Sequence, residues 1–521
     1  MHTCDSLDRN ASHRPTKLAL VDGAARSTWS EVRGRVNGLG EELRKCGVRQ
    51  FDRVAVLAEN AGRIIELTYA IQQLGAITVP LNPRWVAREV EAAIADAGIR
   101  VACVDSKRSS TLNGLSPSCR EGLTALALEA LDFSASQSCS SARQDVLRRR
   151  DPSGDIASIF YTGGTTGRAK GVMLSHANHV LHSMALAAEI GLEDSIQFLH
   201  AAPMFHIADA LFIHLISFVG GAHFVIPHFD AIAFAEAIAE FKITDTILVP
   251  SMIQMVLADE RSAETSFSTL KRLYYGGSPM PAAVLRHLVE RFPKLQLFQF
   301  YGQTESSPVL TVLRPEFHGM FGTQTDRMFS AGRALFATDV RVVDTRGELV
   351  EIGGVGEIVA RGPQVMLGYW NRPLESDAAL RGGWLRTGDA GRMDRDGFLY
   401  VTDRLKDMII TGGENVYSIE VEQAIYEMTE IAQCCVIGLP DDRWGEMVQA
   451  VVVAKSGEQL TESAVISHCA TRLAAYKRPK SVVVWTEPLP QSGAGKILKE
   501  KIRESLKVDS NVQRSINLEI Q

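Results

Sequence analysis

Residues 156–176 read IASIFYTGGTTGRAKGVMLSH. The apolar run 156–160 has the length and composition of a buried strand. Residues 162–167 then supply three threonines and three glycines. Positions without a Cβ, interleaved with hydroxyls, leave backbone N–H groups and side-chain donors free to surround an anion. Lys170 follows as a point charge. A strand running into such a loop can cradle a polyphosphate, and a flexible turn is the plain alternative. The loop is not a Walker A element, because GxxxxGK[ST] fits at no register.

On the N-terminal side, VAVLAE (54–59), AITVPLNP (76–83) and VACVD (101–105) are strand-like, with a helical stretch over 64–74. Such alternation predicts a largely parallel sheet covered by helices on both faces. Residues 106–150, rich in Ser and Arg, read as a surface connection. On the C-terminal side, FVIP (224–227), TILVP (246–250), LKRLYYGG (270–277) and LQLFQFYG (295–302) are strand-then-turn segments between amphipathic helices. From 331 the pattern changes to short strands with Gly/Asp turns, which predicts an antiparallel sheet or small barrel. After Asp403 follow MII, a Gly-Gly turn, the helix VEQAIYEM, strands at CCVIGLP and QAVVVAK, a helix over 464–474 and the strand SVVVW. The expectation is an α/β protein. Its large N-terminal domain (1–403) has parallel-sheet αβα subdomains and a small β-barrel-like subdomain, and a small α+β C-terminal domain spans 404–521.

The 521 residues carry 55 Lys plus Arg against 61 Asp plus Glu, a net charge of −6. No basic excess exists to track a phosphate backbone, so a dedicated nucleic-acid binder is excluded. The eight cysteines form no CxxC pair and no zinc-spaced cluster, and read as small buried apolar residues of a reducing compartment. MHTCDSLDRN has no apolar core of a secretory signal. The apolar stretch 211–226 is broken by His214, Gly220, Gly221 and His223, too short and polar for stable membrane insertion. A cytoplasmic location is the expectation.

The run YTGGTTGRAKGVMLSH resembles the signature loop of the acyl-activating, or adenylate-forming, superfamily of acyl-CoA synthetases, aryl-CoA ligases, peptide-synthetase adenylation domains and luciferases. The resemblance continues in order through PMFH (203–206), YYGGSP (274–279), YGQTE (301–305), GWLRTGD (383–389), DRLKDMIITGGENVYSIEVE (403–422) and SGAGK (492–496). It spans about residues 20 to 505, and seven motifs in the right order make the resemblance to the superfamily specific; within it the chain resembles the acyl-CoA synthetase (fatty-acid–CoA ligase) type.

What the resemblance implies can be stated residue by residue. Thr162, Gly163, Gly164, Thr165, Thr166 and Lys170 would bind ATP, together with Gly276, Gly277, Tyr301 against the adenine, and Gly302. Thr304 would bond the α-phosphate and Glu305 would hold Mg2+, because a carboxylate beside polyphosphate needs a bridging cation. Asp389 would accept the ribose hydroxyls, with Arg404 beside it. His206, Gly277 and Gln303 would line the acyl pocket. Lys496 would bind the substrate carboxylate and α-phosphate as the main catalytic cation, beside Thr304 and Glu305. Lys406 would be the hinge of a mobile C-terminal domain, and Gly412 and Gly413 would flank the CoA channel. The bland readings are a surface Asp–Arg pair for Asp389 and Arg404, a capping or core role for His206, and a solvated cation for Lys496.

The implied reaction activates a carboxylic acid as acyl-AMP on Mg·ATP, then transfers the acyl group to CoA. Amino-acid substrates are disfavoured, since His206 stands where amino-acid-activating members carry Asp, although Asp209 could serve in principle. A medium- or long-chain fatty acid leads, with an aryl or cinnamate-type acid close behind. CoA is the favoured acceptor, because no carrier domain follows Lys496; a separate acyl-carrier protein is the alternative. A non-catalytic nucleotide sensor is disfavoured by the presence of Glu305, Asp389 and Lys496, and a homodimer is left open. Ala169 replaces a usual Pro, Gly163 a usual Ser, and Gly493 a commoner Thr or Ala, which predicts a looser lysine loop.

Overall fold

The computed structural model describes residues 2–131, 151, 153–162, 169–319, 325–493 and 495–506. Two large sheets dominate. The first has seven strands in the order Gly368–Tyr369, Lys170–Ser175, Ile156–Thr162, Ile77–Pro80, Arg53–Leu57, Val101–Val104, Thr124–Ala127. From Ile156–Thr162 to Thr124–Ala127 the pairings are parallel. The second sheet has nine strands, with a parallel core of Leu18–Asp22, Ala222–Val225, Gln197–His200, Asp245–Leu248, Arg272–Gly276 and Gln296–Tyr301.

Helix Ile207–Val219 lies between the two sheets and explains the most apolar stretch of the chain. Its Ile207, Ala210 and Ile213 pack into the core of the first sheet. Its Leu211, Phe212, Leu215 and Ile216 pack into that of the second. A helix apolar on all sides is one buried on all sides. It starts on the N-cap His206 and ends on Gly220 in the left-handed conformation (φ 80°), a position suited to glycine. No helix among the described residues is long and apolar enough to cross a membrane.

The small subdomain expected from 331 takes the form of a four-stranded antiparallel sheet, Asp339–Val343, Gly356–Arg361, Leu385–Met393 and Leu399–Arg404. Beyond it, Ile409–Thr411 and Glu414–Val416 form a hairpin, Ile431–Asp441 pairs with Gly445–Ala454, and Ser481–Trp485 adds a parallel edge. Helices Ser418–Ile425 and Glu462–Ala470 pack on this sheet around Val421, Ile425, Val465 and Cys469. This C-terminal unit has a hydrophobic core of its own.

One expectation needed correction. The surface connection 106–150 begins with regular structure: Thr124–Ala127 pairs parallel with Val101–Val104. This edge strand is largely exposed and carries no apolar alternation, so periodicity could not mark it. Residues 132–150 lie outside the described residues. The strands on either side of the signature segment, Ile156–Thr162 and Lys170–Ser175, pair antiparallel with Thr162 opposite Lys170.

Candidate active site

The site lies outside the C-terminal ends of the parallel strands, where open α/β sheets bind ligands. Strand Gln296–Tyr301 delivers Tyr301 to that edge. A Cβ on Gly302 would stand 2.0 Å from the Pro308 carbonyl oxygen, so only glycine allows the chain to fold back here. Gln303 then caps a short 3-10 turn, Thr304–Ser306, in which Thr304 and Glu305 are buried.

Tyr301, Asp389 and Arg404 form one cluster. Asp389 and Arg404 are paired neighbours on adjacent antiparallel strands. Arg404 Nε lies 2.7 Å from Asp389 Oδ1, and the Tyr301 hydroxyl donates to Oδ2 at 2.9 Å. Burial, reinforced by the Asp389 charge, pushes the Tyr301 phenol well up, so it stays a donor. Each carboxylate oxygen can accept twice, so both retain capacity for a further donor.

Glu305 is held from another direction. Its Oε1 accepts from the Tyr369 hydroxyl at 2.7 Å, and no donor to Oε2 occurs among the described residues. Lys170 Nζ stands 5.1 Å from the centre of the Tyr369 ring. Thr162 donates to the Lys170 carbonyl at 3.4 Å. The remaining loop residues singled out in the sequence, Gly163, Gly164, Thr165 and Thr166, lie outside the described residues. Tyr369 itself was missed: it is 64 residues from Glu305, and a Gly-Tyr-Trp turn carries no spacing signal that ties it there.

The two glycines of YYGGSP divide their work. A Cβ on Gly276 would meet the Phe300 carbonyl oxygen at 2.3 Å, so the adjacent strand, rather than a ligand, demands glycine there. Gly277 has φ +78° and opens toward Val249, 3.7 Å from the place of a Cβ.

Lys496 reaches the same edge from the C-terminal unit. Its loop is closed by a bridge between Gln491 and Ile497 and by the Lys496 N–H donating to Ser492 Oγ at 3.2 Å. The loop docks closely. A Cβ on Gly493 would meet Asn82 Nδ2 at 2.6 Å and Phe205 Cζ at 2.9 Å, and one on Gly495 would meet Ser251 Oγ at 2.9 Å. The loop expected to be loose because of Gly493 is therefore tightly seated because of it. Lys496 is exposed at its surface yet ringed by protein in the cleft; this crowding, then the Arg404 charge, lowers its pKa to about 8. Asp389 and Asp407 pull the other way, and Lys406 adds to the lowering.

His206 takes the capping role. Its Nδ1 accepts from the Ala208 N–H at 3.2 Å as a helix cap, while burial and then Lys496 lower its pKa to about 4. It is a neutral imidazole facing the lysine. Asp209 cannot serve a substrate ammonium: it is fully buried, with Oδ1 2.5 Å from His200 Nδ1. Gly412 and Gly413, at φ +60° and +85°, make the two-residue turn of the 409–416 hairpin, whose mirror-type geometry requires positive φ. Lys406 is exposed in the turn after Arg404.

Comparison with known proteins places this geometry. Residues 7–370 match the AMP-binding enzyme family and residues 420–496 its C-terminal domain. The chain belongs to this family. It is 38% identical over 496 residues to a feruloyl-CoA synthase of Amycolatopsis, covering 95% of this chain and 97% of that one. It is 34% identical to a long-chain-fatty-acid–CoA ligase of Mycobacterium tuberculosis, covering 96% and 97%. The ATP-bound structure of MatB from Rhodopseudomonas palustris superposes with a TM-score of 0.87 at 28% identity, covering 97% of this chain and 99% of that one. The ligase is thus an adenylate-forming acyl-CoA synthetase, an AMP-forming acid–thiol ligase, with a large N-terminal and a small C-terminal domain.

Proposed function

We propose that the ligase activates an aryl-substituted, cinnamate-type carboxylic acid with Mg·ATP and transfers it to CoA, releasing AMP and pyrophosphate. The single observation that carries the reaction is the convergence of Lys496, Arg404, Asp389 and Tyr301 from two domains on one strand edge. One observation favours an aryl acid over the fatty acid that led on sequence grounds: the feruloyl-CoA synthase relatives share more identity with the chain than the fatty-acid ligase does.

In the first half-reaction the acid's carboxylate attacks the α-phosphate and the bond to pyrophosphate breaks. Lys496 holds both anions, offsetting their repulsion, and Thr304 donates to the α-phosphate. Asp389 accepts from the ribose while Arg404 and Tyr301 fix its orientation. Glu305 suits the magnesium ion: it is a buried carboxylate whose Oε1 is engaged by Tyr369 and whose Oε2 meets no donor among the described residues. When bound, Mg2+ neutralises developing phosphate charge. In the second half-reaction the thiol attacks the acyl carbonyl and AMP leaves. The seated Lys496 loop must withdraw first, with the turn at Lys406 as hinge and the Gly412-Gly413 hairpin brought to the thiol channel.

Pyrophosphate release with Mg·ATP across cinnamates, benzoates, C4 to C18 fatty acids and amino acids, with and without CoA, tests this reading. Cinnamate-type acids should give the highest kcat/KM, with acyl-CoA formed when CoA is present. Preference for long fatty acids would overturn the substrate class. Release that stalls at one turnover despite CoA would transfer the acceptor role to a carrier protein.

A further inference from the structure

The segment 366–372 is hydrogen-bonded to three parts of the site at once. Met366 N–H donates to the Glu305 carbonyl (2.9 Å), Leu367 N–H to Met173 (2.9 Å) and Trp370 N–H to Gly171 (2.7 Å), the last two on the strand that leaves the signature loop. Its far end is pinned to Asp96: Trp370 Nε1 and Asn371 Nδ2 donate to the Asp96 carbonyl at 3.1 and 3.0 Å, and Arg372 Nη2 meets Oδ1 at 2.9 Å. The other Asp96 oxygen accepts from the Tyr161 hydroxyl at 2.8 Å, at the start of the signature loop. Both flanks of that loop and the Glu305 turn therefore share one anchored strand. Tyr369 stands in its middle and is the side chain that touches both charged groups.

We propose that Tyr369 is a positioning residue that presets Glu305 and Lys170 for the metal–triphosphate of ATP. The hydroxyl engages Oε1 and so leaves Oε2 as the oxygen available to the cation. The ring face holds the Lys170 ammonium by cation–π attraction. Orientation fixed before binding spares the entropy of ordering a carboxylate and a lysine when Mg·ATP arrives. The proposal rests on the reading of Glu305 as the carboxylate that meets the metal.

The test separates the two contacts and needs no turnover. ATP binding to the full chain without acid is measured by calorimetry as Mg2+ is titrated, for wild type, Tyr369→Phe, Tyr369→Leu, Glu305→Gln and the Tyr369→Phe/Glu305→Gln double variant. Tyr369→Phe should raise the Mg2+ midpoint roughly tenfold, the factor for a lost hydrogen bond to a charged group, and leave metal-free ATP affinity unchanged. Tyr369→Leu should also weaken metal-free ATP binding, through Lys170. In the Glu305→Gln background, Tyr369→Phe should add nothing. A wild-type midpoint for Tyr369→Phe beside a raised midpoint for Glu305→Gln would overturn the role of Tyr369 alone. An unchanged midpoint for Glu305→Gln would overturn the metal reading of Glu305 and this proposal with it. Equal losses with and without metal in Tyr369→Phe would show a merely structural residue.

Discussion

The Glu305 and Lys496 sides of the site are built differently. Glu305, Tyr369 and Lys170 sit on strands and turns of one domain, cross-linked through backbone hydrogen bonds and Asp96. Lys496 rides on a loop of the other domain, closed on itself by Ser492 and seated against Asn82, Phe205, Val249 and Ser251. On the proposed function, the first side binds Mg·ATP in the first half-reaction and has no need to move, whereas the second must withdraw before a thiol can reach the place where the lysine stands. A fixed wall and a removable cation are what that two-step reaction requires.

The comparison can be broken most sharply at Lys496. Lys496→Ala should lower acid-dependent ATP–pyrophosphate exchange on the order of 10²–10³-fold, the usual loss for one group stabilising transition-state charge, with an unchanged melting temperature. The opposite signature is expected on the rigid side. Gly276→Ala drives a Cβ into the Phe300 carbonyl and should cost about 1–3 kcal/mol in urea denaturation. The pH profile sharpens the removable side further. In the proposed role Lys496 acts as a cation, and its pKa is lowered to about 8, so that form is lost as pH rises. Exchange kcat/KM should fall about tenfold between pH 7 and pH 9, and His206, neutral at a pKa of about 4, should add no step there. The smallest effect belongs to Gly493→Ala. The obstructing atoms are the ends of flexible side chains, so exchange should slow only a few-fold, with no loss of stability.

The legible part of the molecule was the part with local signals. Apolar runs beside Gly-rich turns gave the parallel strands; Ser481–Trp485 matches its reading residue for residue. The order of motifs shared with the family marked Tyr301, Glu305, Asp389 and Lys496, whose own neighbours would leave Glu305 a surface charge and Lys496 a solvated cation. What escaped depends on distant pairs. Tyr369 reaches Glu305 across 64 positions, Arg372 reaches Asp96 across 276, and Gly493 packs on Asn82 from the other end of the chain. The same limit explains Gly276, whose requirement comes from a neighbouring strand, and Thr124–Ala127, an exposed edge without alternation.

The most direct measurement supplies purified acyl-AMP and CoA to wild type and Lys496→Ala and follows acyl-CoA formation in a single turnover. If the lysine serves the first half-reaction alone, the variant that cannot make the adenylate should still consume it at a rate within about threefold of wild type. An equal collapse of both half-reactions would contradict the division of the site into a fixed wall and a removable cation.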